Sequence, residues 1–152
     1  MIFSRSAEYA IRALVILGTR PPGEPRLVRQ IAAEAEIPEH FLAKILQDLA
    51  RDGFLKSNKG PNGGFRLAVP AADIALIKIV EAMDGAGRYQ RCLAGQPECH
   101  DRAACAIHEA WMPLRSHIVE CLQGTSIADL AKSLGEKRRL LARSRRSGSR
   151  KM

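Results

Sequence analysis

The stretch LVRQIAAEAEIPEHFLAKILQDLARDGFLKSNKGPNGGFRLAV, residues 27–69, decides the fold. Val28, Ile31, Ala32 and Ala35 recur at helical spacing and predict a short helix over 27–35. Glu36-Ile37-Pro38 reads as a tight connection, because the residue before a proline avoids the helical conformation. A second helix over 38–52 has Pro38 near its first turn, a buried stripe of Leu42, Ile45, Leu46 and Leu49, and a stop at Asp52-Gly53. Residues 54–57 and 65–69 then read as short strands flanking a turn-rich loop, 58–64, with Lys59 near its tip. Upstream, Ala7, Ala10, Ile11, Leu14 and Gly18 predict an amphipathic helix over 4–18, capped by Ser4 or Ser6 and ended by Pro21, Pro22, Gly23 and Pro25. Two short helices joined by a tight turn, packed on a preceding helix and followed by a hairpin, describe a winged helix-turn-helix. The expected fold is mostly α with a small β-wing, completed by a long C-terminal helix.

Beyond the wing, Ile77, Val80 and Met83 mark a helix over 75–84 that ends at Asp84-Gly85. Three of the four cysteines then fall in one window, Cys92-x6-Cys99-x5-Cys105, with His108 a turn further on. Glycines and prolines make most of 85–103 a loop, and a loop of that length needs something to tie it down. Thiolates gathered in a loop converge readily on a soft or borderline metal, so a metal or iron–sulfur site is the leading reading; three Cys plus one His also suit tetrahedral zinc. Asp101 is expected to cap the last long helix. That puts Cys105 in the first turn, where the helix dipole favours a thiolate, and on one face with His108. His100 is expected to be exposed. Ile107, Trp111, Leu114, Ile118 and Cys121 follow steps of four, three, four and three. This two-heptad seam suits either a partner helix or the domain's own core. Pro113 is expected to bend the helix. Cys121 lies 16 residues beyond Cys105, about 24 Å along a straight helix, and is read as packing. A short helix over 127–134 precedes the tail.

The formal net charge of +8 is concentrated at one end. Residues 136–152 hold eight Lys/Arg and one acidic residue, leaving 16 basic and 15 acidic residues in 1–135. The body is nearly neutral, and the Ser/Arg/Gly-rich tail is expected to be disordered and to add non-specific phosphate attraction. Within the body, residues 51–66 form a local positive patch of four basic residues and one acidic. No apolar run approaches the roughly 18 residues of a membrane helix, and no export signal is evident, so a cytoplasmic location with reduced thiols is expected. The chain shows no paired-carboxylate pattern, phosphate-cradling loop or nucleophile setting, and is not expected to be an enzyme or to have a small-molecule substrate. The organisation expected is 1–84 DNA-binding, 85–103 cysteine loop, 104–135 dimerisation helix and short C-terminal helix, and 136–152 tail.

These residues resemble the bacterial Rrf-two family of regulators typified by IscR and NsrR, from Met1 to about Leu134. The likeness is carried by Ser4…Tyr9-Ala10, Ile31-Ala32…Ile37-Pro38…Phe41-Leu42…Ile45-Leu46…Leu49 and Gly53-Phe54-Leu55. The wing Lys59-Gly60-Pro61-Asn62-Gly63-Gly64-Phe65-Arg66-Leu67 is the most specific piece. Arg91-Cys92…Cys99…Cys105-x2-His108-x2-Trp111 and Ile127-Ala128-Asp129-Leu130 follow in order. The resemblance implies a homodimeric transcriptional regulator that reads palindromic double-stranded promoter DNA, and an iron–sulfur cluster of two or four irons on Cys92, Cys99 and Cys105. It implies a fourth ligand at His108, as in IscR-like members, or at Glu8, as in others. Lys59 stands where arginine is usual, keeping the charge without the bidentate geometry. Candidate DNA contacts are Glu39, His40 and Lys44 at the start of the second helix, Lys59, Gly60, Asn62 and Gly63 in the wing, and Arg5 and Arg29 on phosphates. Candidate dimer residues are Ile107, Trp111, Leu114, Ile118 and Cys121. The competing readings are a regulator stapled by zinc or lacking a cofactor, and a small iron–sulfur electron carrier. The electron carrier leaves the wing unexplained.

Overall fold

Ser4 sets the start of the first helix: its hydroxyl accepts the Ala7 N–H at 3.1 Å, as a cap does. In the computed structural model, which describes residues 2–97 and 99–148, α1 runs Arg5–Gly18. It buries Ala13, Val15, Ile16 and Leu17 as well as Ala7, Ala10, Ile11 and Leu14 of the predicted stripe, with Gly18 half-buried at its end. A helix apolar on nearly every side belongs in the middle of a bundle, and α2, α3, α4 and α6 all pack on it.

Helices α2 (Val28–Ala35) and α3 (Glu39–Arg51) follow the predicted spans closely. The connection is made by Glu36, held at φ 55°, and by Ile37, whose N–H reaches back to the Ala32 carbonyl at 3.0 Å. That arrangement satisfies an otherwise orphaned carbonyl at the end of α2. Pro38 then stands at the N-cap of α3.

The wing is an antiparallel pair, β1 (Leu55–Asn58) and β2 (Gly64–Leu67), with Leu55 opposite Leu67 and Asn58 opposite Gly64. The chain just before α2 joins the same sheet. Arg26 and Phe65 exchange both backbone hydrogen bonds, at 2.9 and 2.8 Å. Gly64 permits this close approach: a Cβ there would lie 2.1 Å from the Arg26 carbonyl oxygen. The wing is thereby locked to the entrance of the helix-turn-helix.

Helix α4 (Leu76–Asp84) is sewn to the start of α6 (Ile127–Gly148). Leu76 N–H donates to Thr125 and Ile127 N–H to Ile74, at 3.0 and 2.9 Å. Gly18 lets α6 close on α1, since a Cβ would stand 3.2 Å from Ile127. Among the described residues, no helix is long and apolar enough to cross a membrane.

Two boundaries differ from expectation. Asp101 does not cap the last long helix; it opens a 3-10 turn, Asp101–Ala103, and α5 begins at His108 and runs to Gly124. The Asp101 carboxylate bonds the His108 ring instead of a helix N-terminus. Cys105 therefore lies ahead of the helix, not in its first turn, and the shared helix face with His108 does not form. The helix runs through Pro113 to Gly124. The second difference is the tail: expected to be disordered beyond a helix ending near 134, the chain instead continues as helix to Gly148. Glu136, Lys137, Arg138, Arg139, Leu140, Leu141 and Ala142 all favour helix strongly, and charge composition alone misses that. The tail residues 149–152 lie outside the described residues.

Glu34 on α2 gathers three arginines: Arg20 at 2.8 Å, Arg138 of α6 at 2.9 Å and Arg26 at 3.6 Å. Partial burial pushes the carboxyl up, but the hydrogen bonds and charges of Arg20 and Arg138 outweigh it and hold the group below the usual carboxylate range. A depressed pKa contributes stability above the unfolded value of about 4.5, and that stability is lost as pH falls through the folded value. Glu34→Gln is expected to lower stability at pH 7 by about 1–2 kcal/mol, with the gap to wild type closing in urea titrations at progressively lower pH. In the wing, Gly64→Ala should cost at least about 2 kcal/mol in the same assay. Gly60→Ala, at φ 99° but in open space, should cost only about 1 kcal/mol.

Candidate nucleic-acid interface and cysteine cluster

Helix α3 leaves Glu39, His40, Phe41 and Lys44 exposed on one side of its buried stripe. His40, Phe41 and Lys44 join Arg5 and Tyr9 of α1 and Met83 of α4 around an open groove of about 720 Å³. The His40 and Phe41 rings lie 4.1 Å apart. Phe41 is 56% exposed, a large apolar ring on a surface where solvent should discourage it. Asp48 and Asp52 also line the groove, and Arg51 is paired with Asp48 at 2.6 Å. The surface is thus mixed in charge, not a uniform cationic patch.

In the wing, Lys59, Gly60, Pro61 and Asn62 are exposed at the tip. Gly63, expected among the contacting residues, is buried in the turn: its N–H donates to Gly60 at 2.9 Å, and a Cβ would lie 2.4 Å from the Asn58 carbonyl oxygen. It shapes the tip. Arg29 is exposed in the first turn of α2.

In the cysteine loop, Cys99 and Cys105 lie near enough to Cys92 to influence its thiol. Backbone hydrogen bonds from Gln96 and Ala94 draw the Cys92 thiol below its ordinary pKa, with the neighbouring thiols adding to the effect. Loss of solvent, then repulsion from the Cys92 thiolate, pushes Cys99 up, and Arg115 opposes this. His108 is buried, with Nδ1 3.3 Å from Cys99 Sγ and Nε2 2.9 Å from Asp101 Oδ1. A carboxylate on Nε2 holds the proton there and leaves the Nδ1 lone pair facing the Cys99 sulfur. The donor set is therefore soft thiolate plus imidazole, which suits iron–sulfur or zinc. Among the described residues, no group of three or more His, Cys, Asp or Glu side chains is placed so that it could hold a metal ion.

Glu8 is placed elsewhere. Its carboxylate pairs with Arg12 at 3.3 Å, and Arg12 also donates to the carbonyls of Ala35 and Glu36 in the turn before α3. Among the described residues it makes no hydrogen bond to the cysteine loop. His100 is exposed, as expected.

One set of interactions is illegible in the sequence. Asp84, whose side chain is only 3% exposed, accepts the Ser4 N–H at 2.9 Å and the Ser4 hydroxyl, and pairs with Arg88 at 3.1 Å. Arg88 Nε and the Tyr89 hydroxyl both donate to the Ile2 carbonyl at 3.1 Å. The base of the cysteine loop is thus tied to the start of α1. Asp84 reads in the sequence only as a helix stop, because its partner Ser4 lies 80 residues away.

The seam of α5 stays largely uncovered. Ile107 is 44% and Leu114 59% exposed. Trp111 and Ile118 are half-buried, and Cys121 is exposed beside His117. The helix buries only His108 and Leu122.

A family model described as an iron-dependent transcriptional regulator, Rrf2, matches residues 3–133. A putative HTH-type transcriptional regulator of Aquifex aeolicus is 38% identical over 134 residues, covering 86% of this chain and 91% of the relative. The HTH-type transcriptional regulator NsrR of Geobacillus kaustophilus is 30% identical over 142 residues, 93% of this chain and 97% of its own. The solved structure of CymR, the global cysteine regulator of B. subtilis, superposes with a TM-score of 0.73 at 24% identity, covering 86% of this chain and 95% of that one, and shares the fold. With its two-stranded wing and helix-turn-helix, the chain belongs to the Rrf2 family of DNA-binding transcriptional regulators.

Proposed function

We propose that this regulator binds palindromic promoter DNA as a homodimer and senses redox state, nitric oxide or iron–sulfur status through a cluster held on Cys92, Cys99 and Cys105, with His108 as the fourth ligand. The observation that carries the reading is a buried imidazole whose Nδ1 lies 3.3 Å from the Cys99 sulfur, in a loop where Cys99 and Cys105 lie near enough to Cys92 to influence its thiol. Likeness to NsrR agrees with it. Once bound, an iron–sulfur group supplies redox- and nitric-oxide-sensitive chemistry. The chain's own residues do the rest. Asp101 holds the His108 tautomer, and the Gln96 and Ala94 backbone favours the Cys92 thiolate that ligation requires. The loop's base is bonded to Ile2 and Ser4, so its posture bears on α1 and on the groove that α1 shares with α3. The uncovered α5 seam supports pairing with a second copy. Two paired heads present their α3 helices at a fixed spacing, as half-sites on a palindrome require.

The second reading is a zinc staple on the same four side chains, favoured by the same donor set. Anaerobic purification with metal and sulfide analysis and a visible spectrum separates the two. Iron with acid-labile sulfide, and absorption that bleaches in air, is expected; zinc alone supports the staple. Protein with neither metal removes the sensing role and leaves a DNA-binding regulator. His108→Ala is expected to lose the cluster under conditions in which Glu8→Ala retains it, and the reverse would make Glu8 the ligand. Operator affinity should differ between loaded and metal-free protein at equal salt; equal binding overturns the coupling. For the wing, Lys59→Ala should weaken binding to every duplex and flatten the salt dependence by about one unit of slope, whereas an unchanged slope takes Lys59 out of the interface.

A further inference from the structure

Helix α6 carries on beyond what the family match requires. The match ends at residue 133, while the helix runs to Gly148. Lys137, Arg138, Arg139, Arg143, Arg145 and Arg146 lie on this continuation, with no acidic residue among 137–148. Its direction is fixed by its packing. Ile127 and Ala131 sit against Gly18, at the end of α1. Leu134 and Arg138 line a groove with Arg12, Ala35 and Glu36. The helix therefore runs antiparallel to α1 and leaves the body beside Glu36, three residues ahead of the start of α3. Arg138 fixes the exit by its 2.9 Å bond to Glu34, whose remaining charge is taken by Arg20 and Arg26. From Arg138 to Gly148 the helix extends about 15 Å at 1.5 Å per residue.

A solvated charge run needs none of this order. Here the cations are held on a helical element, anchored at its root, and leaving the body at the turn that delivers the recognition helix to DNA. We infer that the α6 extension is a second DNA-contacting element that lies along the phosphate backbone flanking the half-site, with Arg138 as its anchor. The inference rests on the DNA-binding role of the family. It assigns to the extension affinity and reach, not base choice, because phosphate contacts carry no sequence information directly.

The test compares the full chain with a variant in which Lys137, Arg139, Arg143, Arg145 and Arg146 are all changed to Gln and Arg138 is kept. Two duplexes are used: a site selected from random sequence by the full chain and trimmed to its ends, and the same site with ten base pairs of arbitrary flank on each side. Anisotropy titrations across salt concentrations give affinity and slope, and thermal unfolding confirms that the variant is folded. The wild type should bind the flanked duplex at least ten times more tightly than the trimmed one at 150 mM salt. The variant should bind both alike, with a slope on the flanked duplex smaller by about 2–4 units, near 0.9 for each phosphate no longer neutralised. Equal wild-type affinity for the two duplexes, or an unchanged slope in the variant, overturns the inference. So does a variant altered only in oligomeric state, which would give exposed Leu140 and Leu141 to another copy of the chain. Absence of binding by either protein to any duplex would instead overturn the DNA-binding reading of the whole chain.

Discussion

A single buried carboxylate joins the two halves of this molecule. Asp84 ends α4 and opens the cysteine loop, yet its oxygens are occupied by the backbone and hydroxyl of Ser4, the cap of α1, and by Arg88. A charge this deep is tolerated only with several donors around it, so the loop's base and the N-terminal segment must stay together for the site to persist. The segment it fixes leads directly to Arg5 and Tyr9, which share a groove with His40, Phe41 and Lys44 of the recognition helix. The base of the cysteine loop and the groove along α3 are therefore joined through the Asp84–Ser4 hydrogen bonds and the start of α1, although nothing in the chain order puts them side by side. A group bound by the loop biases that surface only if it favours one posture of the segment over another.

The elements legible in the sequence are those whose determinants are local. The α2–α3 turn follows from the restriction Pro38 places on Ile37, and the wing follows from a glycine-rich run between two short apolar strands. Both glycine positions before Phe65 have a steric reason, but only the structure reveals it: Gly63 faces its own turn, and Gly64 faces Arg26 in a third strand-like segment. Residues bonded across long separations are not legible. Arg26 and Phe65 are joined through their backbones, while Asp84 with Ser4 and Arg138 with Glu34 join side chains that look like ordinary surface residues when read in order. The start of α5 escapes a sequence reading for the same reason. Asp101 has the right chemistry for a cap, and a buried histidine seven residues on competes for it. Three cysteines in a loop announce a candidate site, whereas the contacts of His108 with Cys99 and Asp101 emerge only from the fold.

The α5 helix carries apolar side chains that its own domain does not cover. Leu114 and Ile107 stand open, and the Trp111 indole N–H is buried without a hydrogen-bond partner among the described residues. A helix with two buried residues in its span gains little from its own core. Its persistence through Pro113 is understandable if a second helix lies along the seam. On the proposed dimer this is also where a change in the loop reaches the partner, because His108 begins the very helix that would carry the contact.

Charge in this chain is divided by task. The body, nearly neutral, carries on its recognition face a carboxylate at Glu39, an imidazole at His40 and an ammonium at Lys44. On the proposed DNA contact, such a mixed set would discriminate between base edges because each group fits one and is mismatched to others. A uniformly cationic surface would bind every sequence nearly alike. Much of the excess positive charge lies instead on a helical extension outside the matched family region, where, on the inference above, it raises attraction without entering the groove. Separating the two has a physical consequence. Salt weakens the phosphate-directed part of binding far more than it weakens contacts made in the groove. On this division of labour, affinity is tuned by ionic strength through α6, and selectivity is set by α3 and the wing.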